Sequence, residues 1–330
     1  MMKICIVGLG AIGGVTAAWL ARLGGEVELS ALARGATLEA VRRDGLRHED
    51  AGGRTPVPLR VSGSADALGP QDLIVLAVKA PALSAVAPAV NALSAPHTRV
   101  LCAMNGVPWW FFQGLPGRAA GLRLASADPD GRLDALIPAE RVIGGVVHLS
   151  ATTPAPGVVR HVSGNGLIVG KPEGGRDAQL DGLAALLGRA GFAVTTSERI
   201  QRDIWFKLWG NMTMNPVSAL TGATADRVLA DPLVVGFISA VMLEAQAIGA
   251  AIGIPIEQTP TQRHEVTRKL GAFKTSMLQD VEAGRPVELD ALVGTVREIG
   301  RHLGLATPNI DALFGLARLM ARQRGLYPTG

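Results

Sequence analysis

Three polar side chains recur at intervals of four residues in an otherwise apolar stretch, KLWGNMTMNPVSALTG (207–222). They are Lys207, Asn211 and Asn215. Four residues of a helix advance by about 400°, so the three side chains would form one polar stripe. An ammonium beside two carboxamides can bind and protonate a polar substrate. The spacing raises the question of why a buried-looking helix carries an ammonium and two carboxamides before Pro216.

Two other ways of polarising a carbonyl group are excluded by the composition. The only tyrosine, Tyr327, is followed by Pro-Thr-Gly, so the sequence holds no Tyr-x-x-x-Lys proton donor. Zinc chemistry needs clustered cysteine and histidine, whereas the two cysteines and six histidines are dispersed. Lys207 is the expected acid, because an ammonium held among carboxamides can protonate a carbonyl oxygen while hydride arrives at carbon.

A second cluster of polar residues lies in KTSMLQDVEAGRPVELDAL (274–292). Ser276 belongs to a predicted helix that stops near Gly284, and Pro286 then introduces a new helix with Glu288 in its first turn. The dipole at a helix start favours an ionised carboxylate. Glu288 is therefore either an acceptor for a substrate hydroxyl or an ordinary helix-start residue.

The glycine-rich turn Gly8-Leu9-Gly10-Ala11-Ile12-Gly13 follows a predicted strand and opens a predicted helix. In a dinucleotide site the first glycine permits the tight turn, the second lets the pyrophosphate approach the backbone, and the third allows close packing of helix and strand. The free N–H groups of the helix start favour phosphate. This context predicts a nicotinamide dinucleotide site.

The second strand indicates which dinucleotide is bound. An NAD site usually ends this strand with Asp or Glu for the ribose hydroxyls, but here it ends in Ala33-Arg34. The guanidinium of Arg34 can bind a 2′-phosphate through a planar, charge-assisted fork. Glu28 is the competing candidate, but it falls within the strand, away from the ribose. We therefore expect NADP.

Two further polar residues end predicted strands. Lys79 ends DLIVLAVK (72–79), and Asn105 precedes the glycine that ends RVLCAMNG (99–106). Ligands bind at the carboxyl ends of strands in open α/β sheets. Both residues are therefore candidate ligand contacts, with ordinary loop solvation as the alternative.

The composition describes a globular protein of two domains. The 330 residues are 48% hydrophobic and 18% charged, with a net charge of +4, and the basic residues are scattered, which does not favour nucleic acid as a partner. The apolar run LVVGFISAVML (233–243) ends at Glu244 and is too short to span a bilayer. Cys5 and Cys102 lie in apolar runs, as in a reducing compartment. We expect a soluble, cytoplasmic protein that binds no membrane.

The pattern of elements predicts the fold class α/β plus all-α. Strands alternate with helices up to about residue 142, which indicates a parallel, doubly wound sheet. The short runs VIGGVVHLSAT, GVVRHVS and GLIVGKP then predict antiparallel strands added to its edge. After about residue 198 every segment is helical. We therefore predict an N-terminal Rossmann domain over residues 1–197 and a helical substrate and catalytic domain over 198–330.

Taken together, these motifs resemble the ketopantoate reductase (2-dehydropantoate 2-reductase) family over almost the whole chain. The resemblance rests on GLGAIG, on VK at 78–79, on NG at 105–106, on K-x-x-x-N-x-x-x-N-P at 207–216 and on S-M-L-Q-D-x-x-x-x-R-x-x-E-L-D at 276–290. It implies an NADPH-dependent reduction of a 2-oxo acid, 2-dehydropantoate, to the 2-hydroxy acid pantoate, in pantothenate biosynthesis.

The resemblance implies that the polar stripe faces a cleft between domains and that Pro216 closes the polar segment. It also implies roles for individual residues. Lys207 would be the proton donor, Asn105 would help to place it, and Glu288 would bind the substrate hydroxyl and the cofactor side of the cleft. The residues implied to hold the substrate are Asn211, Asn215, Ser276 and Asn105. The residues implied to contact the cofactor are Gly8, Leu9, Gly10, Ala11, Ile12, Gly13, Arg34, Lys79, Asn105 and Glu288.

Some features leave alternatives open. The aromatic run Trp109, Trp110, Phe111 and Phe112 departs from the polar sequence of the family; it would either pack in the core, which we favour, or reshape the substrate pocket. The alternatives to a reductase of 2-dehydropantoate are a reductase of another small 2-oxo acid and a non-catalytic NADP-binding sensor. The sequence does not determine the oligomeric state, and a homodimer is compatible with it.

We predict that Arg34 sets the choice of cofactor. Losing a charged hydrogen bond to phosphate costs roughly 1.5–3 kcal/mol, so Arg34→Ala should weaken NADPH binding by about one to two decades and leave NADH binding nearly unchanged. Titration of both cofactors against the variant measures this. Equal weakening of both, or of neither, would contradict the assignment of Arg34 to the phosphate.

Overall fold

The chain forms two compact units in the computed structural model, which describes residues 1–329. Unit 1 contains Met1–Met104 and Gly131–Ile200, and unit 2 contains Asn105–Asp130 and the described residues from Gln201 onward. The boundary after residue 200 lies close to the expected one. Residues 105–130 differ from the expectation, because they cluster with the helices of unit 2 and not with the sheet.

Unit 1 is built on one mixed sheet of ten strands. The strands are β1 (Met2–Val7), β2 (Val27–Leu32), β3 (Leu46–Asp50), β4 (Gly53–Val57), β5 (Arg60–Ser62), β6 (Gln71–Leu76), β7 (Ser94–Ala103), β8 (Val142–Ala155), β9 (Val158–Gly170) and β10 (Ala193–Thr196). Their order is β4-β3-β9-β8-β7-β6-β1-β2-β5, with β10 paired to β9.

The part of the sheet from β5 to β8 is parallel throughout. Its central strands are buried on both faces and read as continuous apolar runs, such as Ile4–Val7 and Leu73–Leu76, as expected for a sheet covered by helices on both sides. The predicted Rossmann core is confirmed.

The edge of the sheet differs in detail from the prediction. β8 continues the parallel sheet, because Val100–Ala103 of β7 pair with Val142–Gly145, and only β9 is antiparallel to β8. The runs GVVRHVS and GLIVGKP, expected as two strands, form the single strand β9, which runs through Gly164 with shifts of register. The β3–β4 hairpin was not predicted; Arg47–Glu49 pair with Val158–Arg160 of β9.

Five α-helices accompany this sheet in the described part of unit 1: α1 (Ala11–Leu20), α2 (Gly35–Asp44), α3 (Leu83–Ala92), α4 (Arg132–Leu136) and α5 (Ala178–Ala190). The helix expected over residues 15–24 therefore begins four residues earlier, directly at the glycine turn. A 3₁₀ turn, Ala21–Glu26, follows it and leads into β2. The free N–H groups of α1 are thus presented by the turn itself.

Unit 2 is helical over most of its described residues from 201 onward, whereas residues 105–130 form turns and loops. Its helices are α6 (Ile200–Thr221), α7 (Ala225–Ala230), α8 (Pro232–Ala251), α9 (Pro260–Arg268), α10 (Ser276–Glu282), α11 (Thr295–Leu303) and α12 (Pro308–Gln323), and a π-helical segment, Asp290–Gly294, leads into α11. α6 continues for five residues beyond Pro216, so the expectation that this proline closes the segment was wrong. The last turns of α6 are mostly buried, and tertiary packing of this kind can retain a proline in a helix.

The segment 105–130 is fixed to the helices of unit 2 by polar contacts at three points. The backbone N–H groups of Ala125 and Ser126 donate to the Glu298 carboxylate at 2.7 and 2.8 Å. Arg118 donates to the carbonyl oxygen of Leu303, and Gln201 donates to that of Gln113. The aromatic run packs in the core, as favoured above: Trp109, Trp110, Phe111 and Phe112 are all buried.

α8 is longer than the apolar run suggested, because it spans twenty residues and not eleven. By length and composition it is the one helix among the described residues that could cross a membrane, with a mean hydropathy of 1.8 over 18 residues. One third of that 18-residue window is buried inside the protein. The Glu244 carboxylate accepts hydrogen bonds from the N–H groups of Asn309 and Ile310 at the start of α12, and Ile238 and Val241 are fully buried.

Candidate active site

Lys207 lies on the half-buried side of α6 and is held by a residue from a distant part of the chain. Its Nζ donates a hydrogen bond of 2.8 Å to Oδ1 of Asn105. Asn105 follows the carboxyl end of β7 by two residues, as expected from the sequence. The structure therefore brings together two of the predicted site residues, which are 102 positions apart.

Burial and a nearby carboxylate determine the proton affinity of Lys207. Part of the residue reaches the surface, but its ammonium is surrounded by protein, and burial lowers the pKa of Lys207 from 10.5 to about 8. The carboxylate of Glu288 acts in the opposite direction and raises this pKa. Desolvation disfavours the charged form of an amine, and a negative charge nearby favours it. Lys207 is thus an amine that can give up its proton near neutral pH.

The other members of the polar stripe continue along the same face of α6. Asn211 is half-buried and Asn215 is buried. The side-chain amide of Asn215 donates to the hydroxyl of Ser276 at 3.3 Å. Ser276 is the first residue of α10 and is exposed. The stripe therefore leads from the ammonium to a hydroxyl that solvent can reach.

Glu288 is buried immediately before the helical segment that leads into α11. The sequence predicts it in the first turn of an α-helix, but the helix begins one residue later. The segment Asp290–Gly294 near its start is π-helical. Single π-helical turns occur frequently at functional sites. No pattern in the sequence indicated the π segment.

The π segment also contacts the loop that carries Asn105. The N–H of Val107 donates to the carbonyl oxygen of Ala291 at 3.0 Å. Gly106 has a φ of +84°, and a Cβ placed on it would lie 2.4 Å from that same oxygen. Only glycine fits here without displacing one of the two segments. Asn105 and Glu288, which act on the same ammonium, are therefore carried by segments in direct contact.

The glycine turn of unit 1 has the geometry that a dinucleotide needs. Gly8 has a φ of +99°, and a Cβ on it would clash with Val78 at 2.6 Å. A Cβ on Gly13 would lie 1.9 Å from the carbonyl oxygen of Gly8, whereas no atom lies within 4 Å of a Cβ on Gly10. The first and third glycines are required by packing, and the second borders open space at the start of α1. Gly10 is thus where a pyrophosphate could approach the backbone.

Arg34 and Lys79 are both exposed and both follow the carboxyl ends of strands. Arg34 precedes the first residue of α2, and Lys79 lies three residues after β6. The competing candidate, Glu28, is the second residue of β2 and pairs with Lys3. It lies four residues before the carboxyl end of the strand, or about 13 Å at the usual rise per residue. Arg34 is therefore at the end of β2 where ligands bind, and Glu28 is not.

The sequence matches two protein-family models. The model described as ketopantoate reductase PanE/ApbA matches residues 4–109, and the model of its C-terminal part matches residues 199–321. A 2-dehydropantoate 2-reductase from Mesorhizobium japonicum is 44% identical over 326 residues, which cover 99% of this chain and 100% of that protein.

Two solved structures resemble the whole chain. One is of a Ralstonia solanacearum protein assigned to the ketopantoate reductases, with 56% identity, a TM-score of 0.95 and coverage of 99% of this chain and 100% of the other. The second is of a 2-dehydropantoate 2-reductase from Methylococcus capsulatus, with 28% identity, a TM-score of 0.82 and coverage of 98% of each chain. The fold described above is the fold of these proteins.

We predict that the Lys207 ammonium deprotonates with a pKa of about 8, well below the ordinary value of 10.5. Glu288→Gln should lower this pKa further, because the substitution removes the carboxylate that raises it. NMR titration of protein labelled with ¹³C at lysine Cε measures both, with Lys207→Arg identifying the signal. Glu265→Gln, at an exposed position of α9, is the control and should leave the midpoint unchanged. A midpoint near 10.5 would contradict the prediction.

Proposed function

The chain belongs to the ketopantoate reductase family, and on that premise we propose that it reduces 2-dehydropantoate to pantoate, with NADPH as the hydride source and Lys207 as the proton donor. One observation carries the proposal: the Lys207 ammonium has a pKa lowered to about 8 and donates a hydrogen bond to Asn105. A general acid is most effective when its pKa lies near the working pH.

The proposed reaction divides the work between the cofactor and the chain. The glycine turn would hold the pyrophosphate of the dinucleotide, whose reduced nicotinamide would supply the hydride that the 2-oxo carbon accepts. Lys207 donates its proton to the carbonyl oxygen, so that the C=O bond becomes a C–OH group and a neutral amine remains. Asn105 accepts a hydrogen bond from Nζ and so restricts where the ammonium can lie. The negative charge of Glu288 favours return of a proton to the amine for the next turnover.

The proposed substrate follows from the polar groups around Lys207. Glu288 is buried, and as a carboxylate it would accept a hydrogen bond from a hydroxyl of the substrate. Asn211, Asn215 and Ser276 add amide and hydroxyl groups for the substrate carboxylate. A 2-oxo acid that also bears a hydroxyl uses more of these groups than pyruvate could. 2-Dehydropantoate is such an acid, and the family supports it as the first choice.

NADPH is the proposed cofactor because of the residue that ends the second strand. Arg34 is exposed at the start of α2 and is free of any carboxylate pairing among the described residues, so its guanidinium is available for a 2′-phosphate. Lys79 adds a second cation after β6. Asn105 and Glu288 are also proposed on the cofactor side of the site. A cytoplasmic location is part of the proposal, since both cysteines are buried free thiols.

The alternatives make different demands on the same residues. A non-catalytic NADP-binding sensor would not need an ammonium held beside a carboxylate, and both Lys207 and Glu288 are present and interact. A reductase of another 2-oxo acid would keep Lys207 but would not need Glu288 for a hydroxyl. A test of whether the enzyme recognises a substrate hydroxyl therefore distinguishes 2-dehydropantoate from the alternative substrates.

We predict that Lys207→Ala lowers kcat by about 10²–10⁴-fold, the usual loss on removing a positioned general acid, while NADPH still binds. Lys269→Ala, at an exposed position after α9, is the matched control and should retain full activity. For the unmodified enzyme, kcat/KM should fall as the pH rises through the pKa of about 8, because a neutral amine has no proton to donate. A Lys207→Ala enzyme with more than about a tenth of the original kcat would exclude Lys207 as the donor.

We predict that hydroxyl recognition sets the substrate preference. A site that pairs a hydroxyl strongly rejects an analogue that lacks one, so kcat/KM for 2-dehydropantoate should exceed that for 3-methyl-2-oxobutanoate by at least about a hundredfold. NADPH oxidation with each acid measures the ratio. Glu288→Gln should reduce the ratio, because a neutral amide is a weaker acceptor, whereas Glu265→Gln should not. Equal rates on the two acids, or none on either, would favour the alternative functions.

A further inference from the structure

The residues after α12 are turned back towards the body of unit 2 by a left-handed glycine. This residue is Gly325, which has a φ of +68°. Its N–H donates to the carbonyl oxygen of Arg322, and the N–H of Leu326 donates to that of Ala321 at 2.8 Å. This pattern closes a helix and fixes the direction of the chain that follows it. Leu326 is buried as a result.

Leu326 and Tyr327 make hydrogen bonds on both sides of Glu288. The N–H of Val287 donates to the carbonyl oxygen of Leu326 at 3.1 Å. The hydroxyl of Tyr327 donates to Oδ1 of Asp290 at 2.7 Å. One hydrogen bond is therefore made one residue before Glu288, at Val287, and the other two residues after it, at Asp290. The backbone that carries Glu288 is held between two consecutive residues of a different segment.

The Asp290 carboxyl group that accepts the hydrogen bond from Tyr327 is partly buried. Burial raises the pKa of its carboxyl group, whereas the hydrogen bond from Tyr327 and the charge of Arg318 lower it. The guanidinium of Arg322 lies over the ring of Tyr327, 5.8 Å from its centre. The ring and the hydroxyl of Tyr327 thus have separate partners, and a substitution can remove one contact without the other.

The contact at Asp290 continues towards Lys207 through the π segment. Asp290 is the first residue of that segment, and the next residue, Ala291, accepts the hydrogen bond from Val107. Two residues before Val107, Asn105 accepts the hydrogen bond from Lys207. A continuous path of covalent and hydrogen bonds therefore joins the Tyr327 hydroxyl to both groups that act on the Lys207 ammonium.

We propose that Tyr327 is a positioning residue, which holds Glu288 where it can accept the substrate hydroxyl and so contributes to the preference for hydroxylated 2-oxo acids. The inference rests on the proposed function, because it assigns to Tyr327 an effect exerted through Glu288. Tyr327 need not touch the substrate. Its hydroxyl restricts the π segment, and a shift of that segment moves the Glu288 carboxylate.

The test compares two acids in variants that differ by one hydrogen bond. Tyr327→Phe keeps the ring and removes the hydroxyl. We expect kcat/KM for 2-dehydropantoate to fall about three- to tenfold, the range set by loss of one hydrogen bond, and kcat/KM for 3-methyl-2-oxobutanoate to change less than about twofold. The preference between the two acids should therefore contract. Asp290→Asn keeps an oxygen that can accept from Tyr327 and should retain most of the preference, whereas Asp290→Ala should behave like Tyr327→Phe.

Two controls separate positioning from a general loss of stability. Thr267→Val removes a side-chain hydrogen bond to the backbone of α9 and should leave the preference unchanged. In a Glu288→Gln background, Tyr327→Phe should change the preference between the two acids by less than about twofold, because the effects of coupled residues are not additive. A structural role alone would lower the activity on both acids equally.

The outcomes distinguish this inference from the proposed function. If the unmodified enzyme prefers 2-dehydropantoate and Tyr327→Phe preserves that preference, or lowers both activities alike, the positioning role is wrong and the proposed function stands. If the unmodified enzyme shows no preference or no activity, the proposed function is wrong and this inference is wrong with it. Contraction of the preference in Tyr327→Phe and Asp290→Ala, but not in Thr267→Val, supports the role.

Discussion

The buried ammonium group of Lys207 must be kept beside its two polar partners, and the structure of unit 2 depends on this requirement. Burial lowers the pKa of Lys207 to about 8, and the negative charge of Glu288 raises it. Asn105 accepts a hydrogen bond from the ammonium. Such an arrangement works only if both partners are held in place, since a buried charge without them would be costly. The three residues come from separate segments. Much of the architecture of unit 2 can be understood as the means of holding these segments together.

The segment 105–130 illustrates this constraint. It follows β7 in the chain but belongs with the helices, where Glu298 accepts hydrogen bonds from Ala125 and Ser126. Its buried aromatic residues add a large apolar contact, and Gly106 lets it approach the π segment at Ala291. The unusual aromatic run is thus explained by packing. By anchoring the segment, it also anchors the residue that binds the ammonium.

Local patterns predicted the elements that depend on local chemistry. The apolar run of β1 and the glycines at 8, 10 and 13 are where they were expected, because a turn and a buried strand each impose requirements on neighbouring residues. The β3–β4 hairpin was missed because its charged residues and proline are typical of a loop; it becomes a strand pair because β9 offers an edge to Arg47–Glu49. The continuity of α6 through Pro216 likewise depends on the packing around it.

The sequence alone determined the polar stripe of Lys207, Asn211 and Asn215, because helix geometry relates spacing to direction. It also determined the glycine turn and the basic residue after the second strand. Only the tertiary structure decided that Asn105, Lys207 and Glu288 act on one another, and that Tyr327 is bonded beside Glu288. The physical reason is that the pKa of an amine depends on its burial and on charges brought near it by folding. Those neighbours are 81 and 102 positions away in the chain, so no local pattern specifies them.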